Sequence, residues 1–469
     1  MVTGANILLF RLAQAKASTH NSLCKPAEYS QLSTQCRPSH PERRAMTAEI
    51  VIMNKMSVAM AADSAVTVAG KKVYNSANKL FMLSKYHPVG IMVYGNAEFM
   101  GFPWEVLIKL YRDELGKKEF DTVTGYADNF FEFLAKTNHI SDKDEAFYAM
   151  QVTFPVYAEV INRIRASVDA LIKINGSVDD KDTLKVVNEE VSKVYEEINQ
   201  QVVYFELTSK LEEQLAKKLA PFLGKQLLAV FDKLPLSVAQ RRKLIKVGAM
   251  VISRKVFDQE SGIVLAGFGK TDIFPSMLSC DIKCRAIGRV VKSKPEAVSI
   301  SSSTIDGSTA VIRPFAQGEM VHAFMAGIDP SLNKLSSDYL EKVFREFPKR
   351  LLEHLNLLDN VALNQAMLNA GQEVFANYKN ALQEYQRENH VNPVLNAVAS
   401  LPKDELAAMA ESLINLTSFK RKVTIETETV GGAIDVAVIS KGDGFIWIKR
   451  KHYFQPQLNH HFTANYFEE

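Results

Sequence analysis

The chain has 469 residues, of which 47% are hydrophobic and 23% charged, a balance that belongs to a globular protein and excludes a disordered or fibrous one. That length buries a large core without a disulfide or metal staple. The formal charge of +3 is spread along the sequence rather than gathered in a patch, which argues against nucleic acid as the main partner. Cys24 and Cys36 sit near the front, and Cys280 and Cys284 lie in a strand-like stretch. Neither pair has metal-site spacing, so reduced thiols, no metal and a cytoplasmic setting are expected. No apolar run reaches the roughly 18 residues of a membrane span, so no membrane partner is expected either.

Residues 1–46 differ from the rest of the chain: they are rich in Ser, Pro, His, Arg and Gln and lack sustained periodicity. They read as a leader, a propeptide or spurious upstream sequence. The acid-poor opening from Met1 to Ala17 fits a weak organellar presequence, but its apolar core Ile7–Phe10 is too short for a secretory signal. Glu42-Arg43-Arg44 is what a purine-rich ribosome-binding site would encode if translated, which would make Met46 the initiator.

From Thr47 the pattern changes. Ala48–Met53 and Val58–Ala62 are short apolar runs split by Asn54-Lys55, which reads as a hairpin. Lys72–Tyr74, Leu80–Leu83 and Gly90–Tyr94 continue as strands. Residues 104–258 are helical in pattern, with Phe130, Phe131, Leu134, Val156, Val160 and Ile164 at helical spacing. Within them Lys181–Phe231 reads as a solvated helical hairpin. Strand character returns at Gly262–Phe268, Ile273–Ser279 and Arg285–Val291, and the serines of Ser299–Ser303 read as a turn or loop. A second helical block covers 335–390, an amphipathic helix lies at Pro402–Leu416, and Gly432–Ser440 with Phe445–Lys449 close the chain around a Gly-Asp-Gly turn. Strands, helices, strands, helices, strands suit an α+β layered domain better than alternating βαβ units.

The chemistry-bearing residues stand near the front at an even spacing. Thr47 opens the first strand, Asp63 ends the second, Lys79 precedes another, and Gly95 ends an apolar strand in Met92-Val93-Tyr94-Gly95. Together with the flanking Ala61-Ala62-Asp63-Ser64 and Asn78-Lys79-Leu80-Phe81, this stretch resembles the opening of proteasome β-subunits, as a divergent bacterial-type member with a two-residue insertion at Tyr86-His87-Pro88. Val264-Leu265-Ala266-Gly267 and the late Val430-Gly431-Gly432-Ala433-Ile434-Asp435-Val436 resemble later parts of the same family. The long helical blocks have no counterpart in it.

That resemblance implies an αββα sandwich of the N-terminal-nucleophile hydrolase type over residues 47–469, with helical insertions at about 104–258 and 318–401. It implies a cofactor-free threonine peptidase or amidase acting on a peptide or amide substrate, and a homo-oligomer. Thr47 would be the nucleophile, and a hydroxyl needs a base to become one; the freed α-amine of Thr47, with an unperturbed pKa of about 7.7–8.0, would serve. Lys79 would favour the developing alkoxide, Asp63 would hold Lys79, and the Gly95 N–H would stabilise the oxyanion. Substrate would lie extended beside Thr67, with Val66, Ala77, Val93 and Ala97 shaping an apolar first specificity pocket. Initiation at Met46 and its trimming would expose the amine; autocleavage is the other route. The family's auxiliary Asp and Ser near the late Gly-Gly turn are Thr427 and Val430 here, flanked by Glu426 and Glu428, and Ser279 is a candidate for its remaining serine. Those losses, with the added helices, also fit an inactive subunit that serves as a scaffold or partner-binding protein.

Overall fold

A strand covered on both faces is apolar at successive positions rather than at alternate ones. That is the pattern of Ala48–Asn54 (β1) and Ser57–Ala62 (β2), and in the computed structural model every residue of both is buried. The structure describes residues 47–461 and 464, apart from 69–71, 233, 235, 258–259, 304, 306, 358–359 and 425–430. The readings of residues 1–46 therefore lie outside the described residues. Asn54 makes the expected turn: its side-chain oxygen accepts the N–H of Met56 at 3.0 Å and of Ser57 at 3.2 Å. Its amide nitrogen donates to the carbonyls of Val398 at 3.0 Å and Leu401 at 2.9 Å, so the hairpin tip is tied to a distant helix end.

The remaining strands are Val66–Val68 (β3), Lys72–Tyr74 (β4), Leu80–Met82 (β5), Val89–Gly95 (β6), Glu98–Phe99 (β7), Phe102–Pro103 (β8), Ser261–Gly267 (β9), Ser276–Ala286 (β10), Arg289–Lys292 (β11), Glu296–Ser299 (β12), Ala310–Ala316 (β13), Asp435–Ser440 (β14) and Gly444–Lys449 (β15). One sheet runs β13-β1-β2-β14-β15; a second runs β11-β10-β9-β6-β5, with β12 also on β10. Every strand pair in both sheets is antiparallel. The chain is thus mixed α and β with antiparallel sheets, compatible with the α+β class.

The helices are Trp104–Leu115 (α1), Val123–Lys136 (α2), Asp142–Asn175 (α3), Asp180–Asn199 (α4), Ser209–Val230 (α5) and Val238–Ser253 (α6), then Glu319–Ala326 (α7), Pro330–His354 (α8), Val361–Gln386 (α9), Asn392–Ser400 (α10) and Lys403–Val423 (α11). Their starts carry the side chains that satisfy orphan N–H groups: Thr122, Ser141, Asp179, Thr208 and Ser237 each accept from the first turn. Ser141 with Asp144 and Ser237 with Gln240 close reciprocal capping boxes.

Side-chain alternation along β1 distributes the core. Val51 and Met53, with Val58 and Met60, pack against Leu80, Met92, Val264 and Met277 of the second sheet. Ile50 and Ile52, with Ala59 and Ala61, pack against Leu406, Ala410 and Ile414 of α11. On the far side of the second sheet, Ile91, Val93, Ile263 and Leu265 meet Leu107 and Ile108 of α1 and Phe130 and Leu134 of α2.

Three sequence expectations change. Arg285–Val291 is not one strand: Ile287 and Gly288 adopt positive φ (48° and 69°) and turn β10 into β11. Strand β13 falls where no strand is expected; its Pro314 cannot donate to a ladder, and the strand occupies the sheet edge where that is tolerated. Finally, Lys181–Phe231 is more than a solvated hairpin, because Val187, Val191 and Val194 of α4 are buried with Val160 and Ile164 of α3 and Leu244 and Val247 of α6.

A buried ion pair fastens the helices to the second sheet. Arg285 donates to Glu145 at 2.7 Å, to the Thr137 carbonyl at 2.9 Å and to the Ile140 carbonyl, and Lys218 reaches the other Glu145 oxygen at 2.8 Å. Removing one partner of a buried pair strands the other. Arg285→Ala should lower stability by about 3 kcal/mol in urea denaturation, and Arg285→Lys should restore only part of it, since an ammonium lacks the planar fork.

Candidate active site

Antiparallel pairing of β1 with β2, in the register Glu49↔Ala62, brings the residue after β2 beside the residue before β1. Asp63 and Ala48 clasp each other: the Asp63 N–H donates to the Ala48 carbonyl at 3.1 Å, and the Ala48 N–H donates to Asp63 Oδ1 at 3.1 Å. Thr47 is the adjoining residue, its carbonyl accepting the Gln317 N–H at 3.0 Å. Lys79 enters from the second sheet, one residue before β5, where its carbonyl takes the Val93 N–H at 2.8 Å. Its Nζ lies 2.5 Å from Asp63 Oδ1 and 3.4 Å from Glu49 Oε1, and all three side chains are buried.

Gly95 ends β6 with φ +80°, and a Cβ there would stand 2.4 Å from the Glu260 carbonyl oxygen. Both facts demand glycine. The wall beyond it is fixed by Ser261, whose hydroxyl accepts from Trp104 Nε1 at 2.8 Å and donates to the Asn96 carbonyl at 2.9 Å.

These residues enclose a cavity of about 170 Å³. Thr47, Lys79 and Gly95 line it, as do Val66, Ala77, Val93 and Ala97, with Asn78, Tyr94, Asn96, Pro103, Trp104 and Glu105 completing the walls. Asp63 backs Lys79 from outside that lining. Thr67 lies one residue along β3 from Val66, opposite Val73. Ser279 sits within β10 opposite Val264 and takes no part in the cavity. Thr427, Val430, Glu426 and Glu428 lie outside the described residues, whereas Gly431 is described and donates its N–H to Asp63 Oδ2 at 3.0 Å. Larger cavities, of about 530 and 540 Å³, lie among α4, α5 and α6, away from these groups. Among the described residues no group of three or more His, Cys, Asp or Glu side chains could hold a metal ion.

One residue of the site is not expected from the sequence. Glu49 lies on β1, two positions beyond Thr47. Thr47 Oγ1 donates to Glu49 Oε2 at 3.0 Å. Burial drives the Glu49 carboxyl up to about 8; Lys79 pulls it down, Asp63 pushes it further up, and the Thr47 hydrogen bond pulls it down. The signal is present: Glu49 is the one acid in an otherwise uncharged, fully buried run, and such a group persists only where something pairs with it.

No family model matches the chain, and no curated protein matches it. Solved structures that align with it include Anbu (ancestral beta-subunit) from Yersinia bercovieri, at 8% identity over 89% of this chain and 94% of that one, with a TM-score of 0.26. The helical assembly of the Anbu complex from Pseudomonas aeruginosa aligns at 8% identity over 89% and 93%, with a TM-score of 0.25. Anbu from Hyphomicrobium sp. strain MC1 aligns at 6% identity over 89% and 94%, with a TM-score of 0.25. These values correct the expected membership of the proteasome β-subunit family: superposition this poor at such identity, with no matching family model, places the chain in no family.

Proposed function

We propose that the cavity at the start of β1 is the active site of a threonine-type hydrolase that cleaves peptide or amide bonds, with Thr47 as its nucleophile. The observation that carries this reading is the placement of the Thr47 hydroxyl in a cavity shared with a buried lysine, itself held at 2.5 Å by Asp63, and with a glycine in a conformation only glycine adopts easily. Lys79 acts electrostatically, favouring the alkoxide that develops on Oγ1 as it attacks. Asp63 keeps the ammonium there. The Gly95 N–H serves the oxyanion, and the absence of a side chain lets the scissile carbonyl approach. The Thr47 α-amine, freed by removal of Met46, is the base next to the hydroxyl in this scheme. No cofactor enters it.

Val66, Ala77, Val93 and Ala97 line the cavity, which supports an apolar side chain ahead of the cut bond, with substrate extended past Thr67. The core clusters on and between the two sheets support reading the whole as a four-layer αββα stack, helices outside two facing sheets. Ile446 and Ile448 are exposed on β15, an edge of the first sheet, which supports self-association through that edge.

Thr47→Ala should abolish turnover of fluorogenic peptide amides while leaving the unfolding midpoint in place; a variant that keeps its activity sinks the assignment. Gly95→Ala should cost about 10²–10³ in kcat/KM, because the backbone must move off its positive φ and away from the Glu260 carbonyl. N-terminal sequencing and intact mass of the active protein should show a chain beginning at Thr47.

A further inference from the structure

We propose that Glu49 is a catalytic residue, the carboxylate that takes the proton from the Thr47 hydroxyl as Oγ1 attacks the substrate carbonyl. This rests on the reading of Thr47 as nucleophile and puts Glu49 in place of the Thr47 amine as its base, one that works whether or not that amine is free.

The argument is one of acceptor capacity. Thr47 Oγ1 donates to Glu49 Oε2 at 3.0 Å. Lys79, as an ammonium, offers donors only. Asp63 is fully engaged: Oδ1 takes the Ala48 N–H at 3.1 Å and Lys79 at 2.5 Å, and Oδ2 takes the N–H groups of Gly431 at 3.0 Å and Ala65 at 3.2 Å. Of the two carboxylates it is Glu49 that has room, since Oε1 is buried without a hydrogen bond and meets only the Lys79 charge at 3.4 Å. The groups facing it are Thr47 just before β1, Asp63 after β2, Lys79 before β5 and Tyr94 on β6, whose phenol is bonded to Asp281 at 3.2 Å. Thr47 immediately precedes the fully buried strand that carries Glu49, and the hydrogen bond from its Oγ1 to Glu49 Oε2 holds the two side chains at 3.0 Å.

The step balances. The Oγ1–H proton passes to Oε2, Oγ1 bonds to the carbonyl carbon, and the C=O pair moves onto oxygen. On collapse the C–N bond breaks and the proton leaves on the amine. Water then gives its proton to the carboxylate and its oxygen to the acyl carbon; the C–Oγ1 bond breaks, and the proton returns to Oγ1.

A base functions in its ionised form, so with the Glu49 carboxyl raised to about 8 the rate should climb with pH through that region. The Thr47 amine, at about 7.7–8.0 when unperturbed, would titrate nearby. Temperature separates the two: carboxyl ionisation takes up almost no heat, whereas ammonium ionisation takes up much, so an amine's limb moves to lower pH on warming.

The experiment follows acylation of the full-length protein by a peptidyl β-lactone, read by intact mass against pH at two temperatures. Wild type should acylate on Thr47 with a rising limb that stays put on warming. Glu49→Gln should lose the limb and slow by about 10²–10⁴, and Glu49→Asp should keep the limb at a reduced rate. A Glu49→Gln protein that acylates at the wild-type rate with the same limb overturns the proposal, as does a wild-type limb that shifts with temperature like an amine's. Should Glu49→Gln not fold, judged by circular dichroism, the wild-type temperature series decides alone. Absence of any adduct on wild-type Thr47 overturns the nucleophile assignment beneath it instead.

Discussion

The Asp63 carboxylate is the fastening on which the rest of the site depends. A charge buried this deeply persists only if each lone pair is used. Its four contacts come from four parts of the chain: the Ala48 N–H at the start of β1, the Ala65 N–H beyond β2, the Lys79 ammonium from the second sheet and the Gly431 N–H from the C-terminal segment. One group thus fixes where β1 begins, how the two sheets meet at that end, and where the cation beside the Thr47 hydroxyl stands.

The same arrangement explains the unusual state of Glu49. Two carboxyl groups share one ammonium, and Asp63, with backbone donors as well, holds it at 2.5 Å against 3.4 Å for Glu49. Desolvation at Glu49, with the nearby Asp63 charge, then outweighs the pull of Lys79 and of the Thr47 hydrogen bond, and its carboxyl rises. A buried carboxyl raised in this manner is characteristic of sites where protons change hands.

The parts of this geometry readable in the sequence are those carried by local order. Thr47, Asp63, Lys79 and Gly95 stand at strand ends within the first fifty residues of the described chain, and hairpin pairing converts that spacing into proximity. Glu49 escapes a reading that weighs an apolar run by its length rather than by the one residue in it that does not belong. The turn at Ile287-Gly288 and the edge strand carrying Pro314 escape because each depends on context: a positive φ at an isoleucine, and a sheet edge, neither visible in composition. Residues 425–430, where the auxiliary positions fall, lie outside the described residues. Family placement fails for another reason, since a few residues at a set spacing make no family and no family model matches the chain.

The Gly431 contact joins residues 368 positions apart. Strand β14, just beyond it, lies between β2 and β15 and supplies Val436 and Val438 to the core beneath α11. Closure of so long a loop is among the slower events in folding. While the chain is still on the ribosome Asp63 lacks the Gly431 N–H and β2 lacks its β14 neighbour, so the surroundings of Thr47 take their final form only after residue 440 has been made.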